Sequence, residues 1–184
     1  MKKMLNFPFS RQCYNYDCGA NAIQSILDYY GIDIGEGEVM RIAKTTHAGT
    51  NFAGLKKVAE KFKLRYKQKI MSIEEIKKNI DRKRPVIIDL QAWSGKEIKE
   101  KWVSDKNKYW EKDWKNGHYV VAVGYSRNKI FFEDPSATTR TFLSYRELKK
   151  RWHDIDVGGK KYYNWGMIFY GKPKYNPEKA IHMD

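Results

Sequence analysis

The hydrophobic periodicity of this 184-residue chain changes at Pro85, and this change constrains the fold more than any other feature. Before Pro85, apolar residues recur at three- and four-residue steps, which is typical of helices with one buried face. After Pro85, short apolar runs rich in Val, Ile, Phe and Tyr are typical of strands. The pattern predicts an α+β fold in which N-terminal helices pack on a mainly antiparallel sheet.

Helix-start signals precede several of the predicted helices. Asp17 stands at the expected N-cap of a first helix, whose apolar positions are Ala22, Ile23, Ile26, Leu27 and Tyr30. Asn51 opens another helix, and the segments 72–75 and 144–147 each read as a capping box. Strands are predicted over 64–69, 85–93, 118–125, 130–133 and 162–170, without internal repeats.

The length fits one domain, because a chain of this size buries about 70% of its unfolded surface in a single core. We expect the domain to cover residues 1–171. Residues 94–117, rich in Lys, Glu and Trp, are too long for a plain connection and are predicted to be an insertion. Residues 172–184 contain two prolines and are predicted to be a loosely held tail.

The net charge of +14 comes mostly from lysines spread along the chain. Nucleic-acid readers favour arginine for its planar fork, so dispersed lysine favours a solvated surface, and no nucleic-acid partner is expected. No window is long and apolar enough to span a membrane, and the basic N-terminus lacks the apolar stretch of a signal peptide. Two cysteines are too few for a disulfide scaffold, and the protein is therefore expected in the cytoplasm.

The segment from Gln12 to Gly19 carries the predicted chemistry. Cys18 falls in the first turn of a predicted helix, where unpaired N–H groups and the helix dipole favour a thiolate. Its backbone N–H and the side-chain amide of Gln12 could both donate to an oxyanion. From this segment alone, a buried structural cysteine beside a surface glutamine fits equally well.

A resemblance decides between these two interpretations. The string Gln12-x-x-x-x-Asp17-Cys18-Gly19 resembles the active-site start of papain-like cysteine peptidases, and most specifically the bacteriocin-processing, double-glycine-leader peptidases. The second half of the family pattern is a histidine that opens an apolar strand and an Asp-Pro about sixteen residues later. Here these are His118 and Asp134-Pro135, and the resemblance spans roughly residues 8 to 170.

The resemblance implies a papain-like fold and a role for each of these residues. Cys18 would be the nucleophile, His118 the base, Asp134 the group that orients the histidine, and Gln12 the oxyanion donor. Family members are often the N-terminal part of an ATP-driven transporter. This chain shows neither a membrane span nor a phosphate-binding loop, so the transporter function does not carry over and the double-glycine substrate is put in doubt.

Strand geometry gives an independent expectation for the histidine and its carboxylate. If the hairpin turns at residues 126–128, position 118 pairs near 136 and position 120 near 134, which makes His118 and Asp134 diagonal neighbours on one face. Glu133 would then point to the other face. A register slip of one residue would exchange Glu133 and Asp134.

Neither a cofactor nor a metal is expected. The spacing of Cys and His fits no zinc site, and His153, Asp154 and Asp156 are interpreted as a solvated surface. The sequence therefore predicts a cysteine peptidase that hydrolyses a peptide or protein substrate through a thioester on Cys18. Two alternatives stay open: an amidase or acyltransferase that uses the same site, and a non-catalytic binding protein with a basic surface.

Overall fold

The structure is a computed structural model that describes residues 2–92, 110–180 and 182. Its helices in these ranges are α1 (Cys18–Tyr29), α2 (Glu36–Ala43), α3 (Phe52–Lys61), α4 (Ile73–Asp81) and α5 (Tyr145–Arg151), with a 3-10 turn at Trp110–Lys112. The strands are β1 (Lys3–Met4), β2 (Arg65–Ile70), β3 (Val86–Gln91), β4 (Gly117–Tyr125), β5 (Lys129–Glu133), β6 (Thr141–Ser144), β7 (His153–Ile155), β8 (Lys161–Tyr163) and β9 (Trp165–Tyr170).

One antiparallel sheet organises the molecule. Its strand order is β2-β9-β3-β4-β5-β6, and β1 adds to it by pairing with β4. Strands β7 and β8 form a separate two-stranded sheet. Helices and an antiparallel sheet in this arrangement confirm the predicted α+β class.

The sheet separates two hydrophobic cores. Helices α1, α2 and α3 cover one face, where Ile87 of β3 packs, and helices α4 and α5 pack on the other, where Ile88 lies. Because both faces are covered, all six residues of β3 are buried. This explains why Val86, Ile87 and Ile88 are three consecutive apolar residues rather than an alternation of apolar and polar ones.

Local capping signals are confirmed at three of the four predicted helix starts. Ser72 and Ser144 each form a complete capping box, and Asn51 accepts the N–H of Gly54 at 2.8 Å. The prediction for Asp17 is wrong in one respect. Asp17 occupies the N-cap position of α1, but its side chain makes no hydrogen bond to the helix.

The predicted strand over 162–170 is divided in two. Asn164 has a φ of +54°, a left-handed conformation that breaks the extended chain between β8 and β9. Strands β6 and β7 were not predicted at all. Each has only three or four residues, too few to show a clear alternation of apolar and polar positions.

The structure describes part of the predicted insertion and most of the predicted tail. Most of the predicted insertion 94–117 lies outside the described residues, and its described end runs from the 3-10 turn into β4. In the predicted tail, the N–H groups of Lys174 and Tyr175 both donate to the carbonyl of Tyr29, at 3.0 and 3.2 Å. A domain over 1–171 stays a prediction. Among the described helices, none combines the length and the apolar character that a bilayer crossing needs.

Candidate active site

Cys18 is the first residue of helix α1 and is half-buried. The first intrahelical bond runs from the N–H of Asn21 to the carbonyl of Asp17. The amides of Cys18, Gly19 and Ala20 therefore have no intrahelical acceptor. Three N–H donors and the positive end of the helix dipole thus lie beside the sulfur, an arrangement that favours a thiolate and an oxyanion.

The carboxylate of Asp17 shapes the loop before the nucleophile instead of capping the helix. Its Oδ2 accepts the N–H groups of Cys13 at 3.1 Å and Tyr14 at 2.9 Å, and the side chain is buried. The backbone of residues 13–17 is thereby closed into a tight turn. A carboxylate next to Cys18 disfavours a thiolate, but these N–H groups partly neutralise its charge and reduce that effect.

Gly19 is required by packing. A Cβ atom at this position would lie 2.8 Å from Thr50 Cβ and 2.9 Å from Tyr119 Cδ2. In the structure the close approach is made by two side chains of the protein itself, so any larger residue would displace the start of α1.

His118 and Asp134 are hydrogen-bonded in a buried pair. Nε2 of His118 lies 2.8 Å from Oδ1 of Asp134, and both side chains are almost completely inaccessible. With Nε2 engaged, Nδ1 is the ring nitrogen left for the sulfur. Burial lowers the pKa of His118, but the hydrogen bonds with Asp134 and Cys18 and the charges of both partners outweigh it, so the pKa rises to about 10.

Asp134 is held by two donors besides His118. The N–H of Ser136 donates to Oδ1 at 3.0 Å, and the hydroxyl of Thr141 donates to Oδ2 at 3.1 Å. Burial raises the pKa of Asp134, but His118 and these two donors more than offset burial and hold the pKa below its ordinary value. Ser136 was detectable as the third residue of an Asp-Pro-Ser turn. Thr141 lies on β6, a strand that was not predicted.

A β-bulge in hairpin β4–β5 separates two registers. Near the turn, Gly124 is opposite Phe131, whereas past the bulge Val121 is opposite Glu133. The extra residue on β4 is Val123. Such an insertion changes which side chains of the partner strand share a face.

The bulge places Asp134, and not Glu133, on the face of His118. Ser126 N–H bonds to the carbonyl of Lys129, so the turn contains two residues rather than the three predicted. Continued without a bulge, this shorter turn would put Glu133 on the face of His118. The bulge restores the predicted register at the end of the hairpin that carries His118. His118 and Asp134 are therefore neighbours as predicted, but because of a bulge that the sequence did not indicate.

Gln12 reaches the site through Ser136. Its Oε1 accepts the Ser136 hydroxyl at 3.0 Å, its N–H donates to the carbonyl of Pro135 at 3.0 Å, and its Nε2 donates to the carbonyl of Tyr14. The amide nitrogen carries two hydrogens, so one remains for a ligand. The structure thus brings Gln12, His118 and Asp134 into one hydrogen-bonded network, and the interaction with Cys18 raises the pKa of His118. Within the described ranges, no group of His, Cys, Asp and Glu could hold a metal ion.

Comparison with known proteins agrees with this geometry. The model of the peptidase C39 family matches residues 6–157. The pediocin PA-1 transport/processing ATP-binding protein of Pediococcus acidilactici is 28% identical over 156 residues, in a match that covers 81% of this chain. The match covers 18% of that protein, so the chain spans about a fifth of its curated relative.

Solved structures show the same fold. The peptidase domain of ComA from Streptococcus, described as a bifunctional ABC transporter of a quorum-sensing pathway, superposes with a TM-score of 0.67 at 17% identity, over 91% of this chain and 100% of that one. A double-glycine motif protease from an AMS/PCAT transporter, solved with its leader peptide, gives a TM-score of 0.62 at 19% identity, over 94% and 95%.

The family match covers most of the chain, and the papain-like fold agrees with it. The chain belongs to the peptidase C39 family and is a cysteine peptidase.

Proposed function

We propose that Cys18 is the nucleophile of this peptidase, with His118 as its acid–base partner, Asp134 as the group that orients His118, and Gln12 as an oxyanion donor. The observation that carries the proposal is the position of the His118 ring. It is hydrogen-bonded to Asp134 through Nε2 and interacts with the Cys18 sulfur.

The raised pKa of His118 favours an ion pair at neutral pH, in which His118 holds the proton taken from Cys18. The thiolate attacks the carbonyl carbon of the scissile bond and forms a C–S bond. The carbonyl oxygen then becomes an oxyanion, to which the Cys18 N–H and the Gln12 amide can donate.

Collapse of this intermediate breaks the C–N bond, and His118 gives its proton to the leaving amine. A water molecule then attacks the thioester while His118 accepts one of its protons. The second collapse breaks the C–S bond, releases the carboxylic acid and restores the ion pair. Asp134 accepts the Nε2–H throughout, which fixes the tautomer that presents Nδ1 to the sulfur.

The proposed substrate is a peptide or protein. A related double-glycine motif protease of the same fold was solved with a leader peptide bound, and this supports a peptide with two consecutive glycines as the first class to test. Both cysteines of the chain are free thiols. Since unpaired thiols persist in a reducing compartment, we place the protein in the cytoplasm.

Alkylation with limiting iodoacetamide between pH 5 and 9, followed by intact mass, tests the site without knowledge of the substrate. We expect fast labelling of Cys18 at low pH that is lost in His118→Ala. Cys13 is an internal reference, because its hydrogen bond with Glu36 raises the pKa of this exposed thiol above the ordinary value.

Cys18→Ala is the matching test of turnover. It should lower peptide hydrolysis by at least about four orders of magnitude and leave the fold intact. Cys13→Ala is the control and should keep full activity. Slow, equal labelling of both cysteines, or hydrolysis that survives Cys18→Ala, would overturn the proposal and favour a non-catalytic binding protein.

A further inference from the structure

Two aspartates that the proposed reaction does not use lie behind His118. Asp89 is on β3, directly opposite Tyr119 of β4, and is only 4% exposed. Asp154 is on β7 and is half-buried. The sequence assigned Asp154 to a solvated surface, and this interpretation is wrong, because its carboxyl group is hydrogen-bonded to that of Asp89.

The donors around the pair leave one oxygen without a partner. The hydroxyl of Tyr162 donates to Oδ2 of Asp89 at 2.6 Å, and Nε2 of Gln91 donates to Oδ1 of Asp154 at 2.9 Å. Oδ1 of Asp89 is buried, and within the described part of the chain no backbone N–H and no Ser, Thr, Tyr, Asn, Gln, His, Lys, Arg or Trp side chain donates a hydrogen bond to it. Two carboxylates can only accept, so a hydrogen bond between these side chains requires a proton on one of them.

The surroundings favour a proton on Asp89. Burial is the largest cause that raises its pKa, followed by the charge of Asp154, and the pKa reaches about 8. The titratable groups that face Asp89 are Asp154 from β7, Tyr162 from β8, and Tyr119 and His118 from β4. The Tyr162 hydroxyl and His118 lower the pKa of Asp89, but by less than burial and Asp154 raise it.

The pair is connected to the backbone immediately before His118. Oε1 of Gln91 accepts the N–H of Asn116 at 3.0 Å, while Nε2 of the same amide holds Asp154. Oδ2 of Asp154 also packs directly on Gly117, where a Cβ atom added to the glycine would lie 1.9 Å from this oxygen. The two residues that lead into His118 are therefore both fixed by this cluster.

We propose that Asp89 donates a shared proton to Asp154, and that this hydrogen bond is a positioning device that holds the start of β4 and therefore the ring of His118. The proposal rests on the function proposed above for His118. Asp89 and Asp154 act through His118 and do not touch the reacting atoms.

Loss of the shared proton places two negative charges within hydrogen-bond distance. Their repulsion pushes β7 away from β3 and releases residues 116 and 117. The folded pKa of Asp89 lies above its ordinary value of 3.8, so its contribution to stability is full below about pH 4 and is lost as the pH rises to about 8. His118, whose pKa is about 10, is still protonated when this loss is complete.

The substitution Asp89→Asn keeps the shape of the side chain and removes the proton that can be lost. An asparagine can donate from Nδ2 to Asp154 and accept from Tyr162 at Oδ1, but it cannot ionise. Thermal unfolding between pH 5 and 9 is the first measurement. We expect the difference in melting temperature, variant minus wild type, to increase with pH up to about pH 8 and to stay constant above it.

The second measurement is the pH profile of peptide hydrolysis. In the wild type we expect a loss of about tenfold per pH unit above the ionisation of the pair, and in Asp89→Asn a plateau that extends toward the ionisation of His118. Asp156→Asn is the matched control. Asp156 is two residues from Asp154 but caps a turn, accepting the N–H groups of Gly158 and Lys160, and its loss should leave both profiles unchanged.

The outcomes separate the two proposals. If the melting temperatures of wild type and Asp89→Asn differ by the same amount at every pH, the shared proton is disproved. A widening difference in melting temperature with an unchanged alkaline limb of hydrolysis would disprove the positioning role. If alkylation of Cys18 does not depend on His118, the proposed function fails, whereas the unfolding result still decides the shared proton. If Asp89→Asn does not fold, Asp154→Asn serves instead, because it removes the same repulsion.

Discussion

Glu133 and Asp134 are adjacent in sequence, carry the same charge and are both buried, yet they serve opposite sides of the sheet. Glu133 accepts the N–H of Ser10 at 2.7 Å and pairs with Arg140, so it fastens the N-terminal segment. Asp134 accepts from His118 and faces the proposed catalytic site. The chemistry of the carboxylate is the same in both, and the face of the strand decides which one can orient a histidine.

The comparison also shows how little separates the two roles. A shift of one residue would present Glu133 to His118 and turn Asp134 toward Arg140. The bulge at Val123, on the strand opposite these two carboxylates, is what sets this register. The identity of the functional carboxylate is therefore fixed away from the active site.

Asp134→Asn should have the largest effect of the changes that test this comparison. Loss of the carboxylate removes the charge that stabilises the imidazolium and allows the wrong tautomer of His118, so kcat should fall about 10³- to 10⁴-fold. Steady-state hydrolysis of a peptide substrate measures it. Glu133→Gln is the control at the adjacent position, and if it shows the larger loss, the register is not the one described.

The same variant also tests the pKa of Asp134. Because His118 and the two other donors hold this pKa below its ordinary value of 3.8, the stability that Asp134 contributes is present above about pH 4 and is lost as the pH falls below it. The difference in melting temperature between wild type and Asp134→Asn should therefore shrink below pH 4. A difference that stays constant from pH 7 to pH 3 would contradict the depressed pKa.

Gln12→Ala should have the next largest effect, because Gln12 belongs to the same hydrogen-bonded network as Asp134. Removal of one oxyanion donor costs about 10²- to 10³-fold in kcat. KM should change little, because the donor acts on the oxyanion rather than on the bound peptide. Gln12→Glu keeps the size of the side chain and loses the donor, so full activity in this second variant would show that Gln12 only supports the loop.

Glu133→Gln should affect stability and leave catalysis intact. The change weakens the hydrogen bonds to Ser10 and Arg140, and buried hydrogen bonds to charged groups are worth about 2 kcal/mol. Chemical denaturation measures the free energy of unfolding, and kcat per folded molecule should remain within about twofold of wild type. Arg140→Gln removes the partner from the other side and should give a similar loss of stability.

Among the changes that act on catalysis, Thr141→Val should have the smallest effect. It removes one of three donors to Asp134 while keeping the volume of the side chain, so the pKa of Asp134 should move up toward its ordinary value. We expect a loss of about fivefold in kcat, equivalent to about 1 kcal/mol, because Thr141 acts on the reaction only through Asp134 and His118. Thr139→Val, on the loop before β6, is a control that should show no loss.

The sequence was informative where a local pattern dictates a local structure. The capping boxes at Ser72 and Ser144 and the turn signal between β4 and β5 each depend on residues within a few positions of one another. Strand alternation predicted that His118 and Asp134 are neighbours, but only because the predicted turn was one residue too long and the bulge compensates for that residue. The roles of Cys18, His118, Asp134 and Gln12 came from the family resemblance and stay predictions that the experiments above address.

Features without a local side-chain signature, or formed by distant parts of the chain, could not be predicted. The bulge at Val123 has no side-chain signature in an apolar strand. Asp17 stands where an N-cap is expected, but its carboxylate accepts the N–H groups of Cys13 and Tyr14 instead of an N–H group of helix α1. Asp89 and Asp154 are far apart in sequence, and only the packing of β7 against β3 brings them together.

The docking of residues 174 and 175 on Tyr29 has a mechanical consequence. Tyr29 ends the twelve-residue helix that Cys18 begins, so the tail is fastened one helix length, about 18 Å, from the residue proposed as nucleophile. Whatever is joined beyond these residues, whether an affinity tag, a solid support or a second protein, is fastened to the domain at the far end of this helix. A load on that tether would reach the two hydrogen bonds to Tyr29 before it reaches strand β9, which ends at Tyr170.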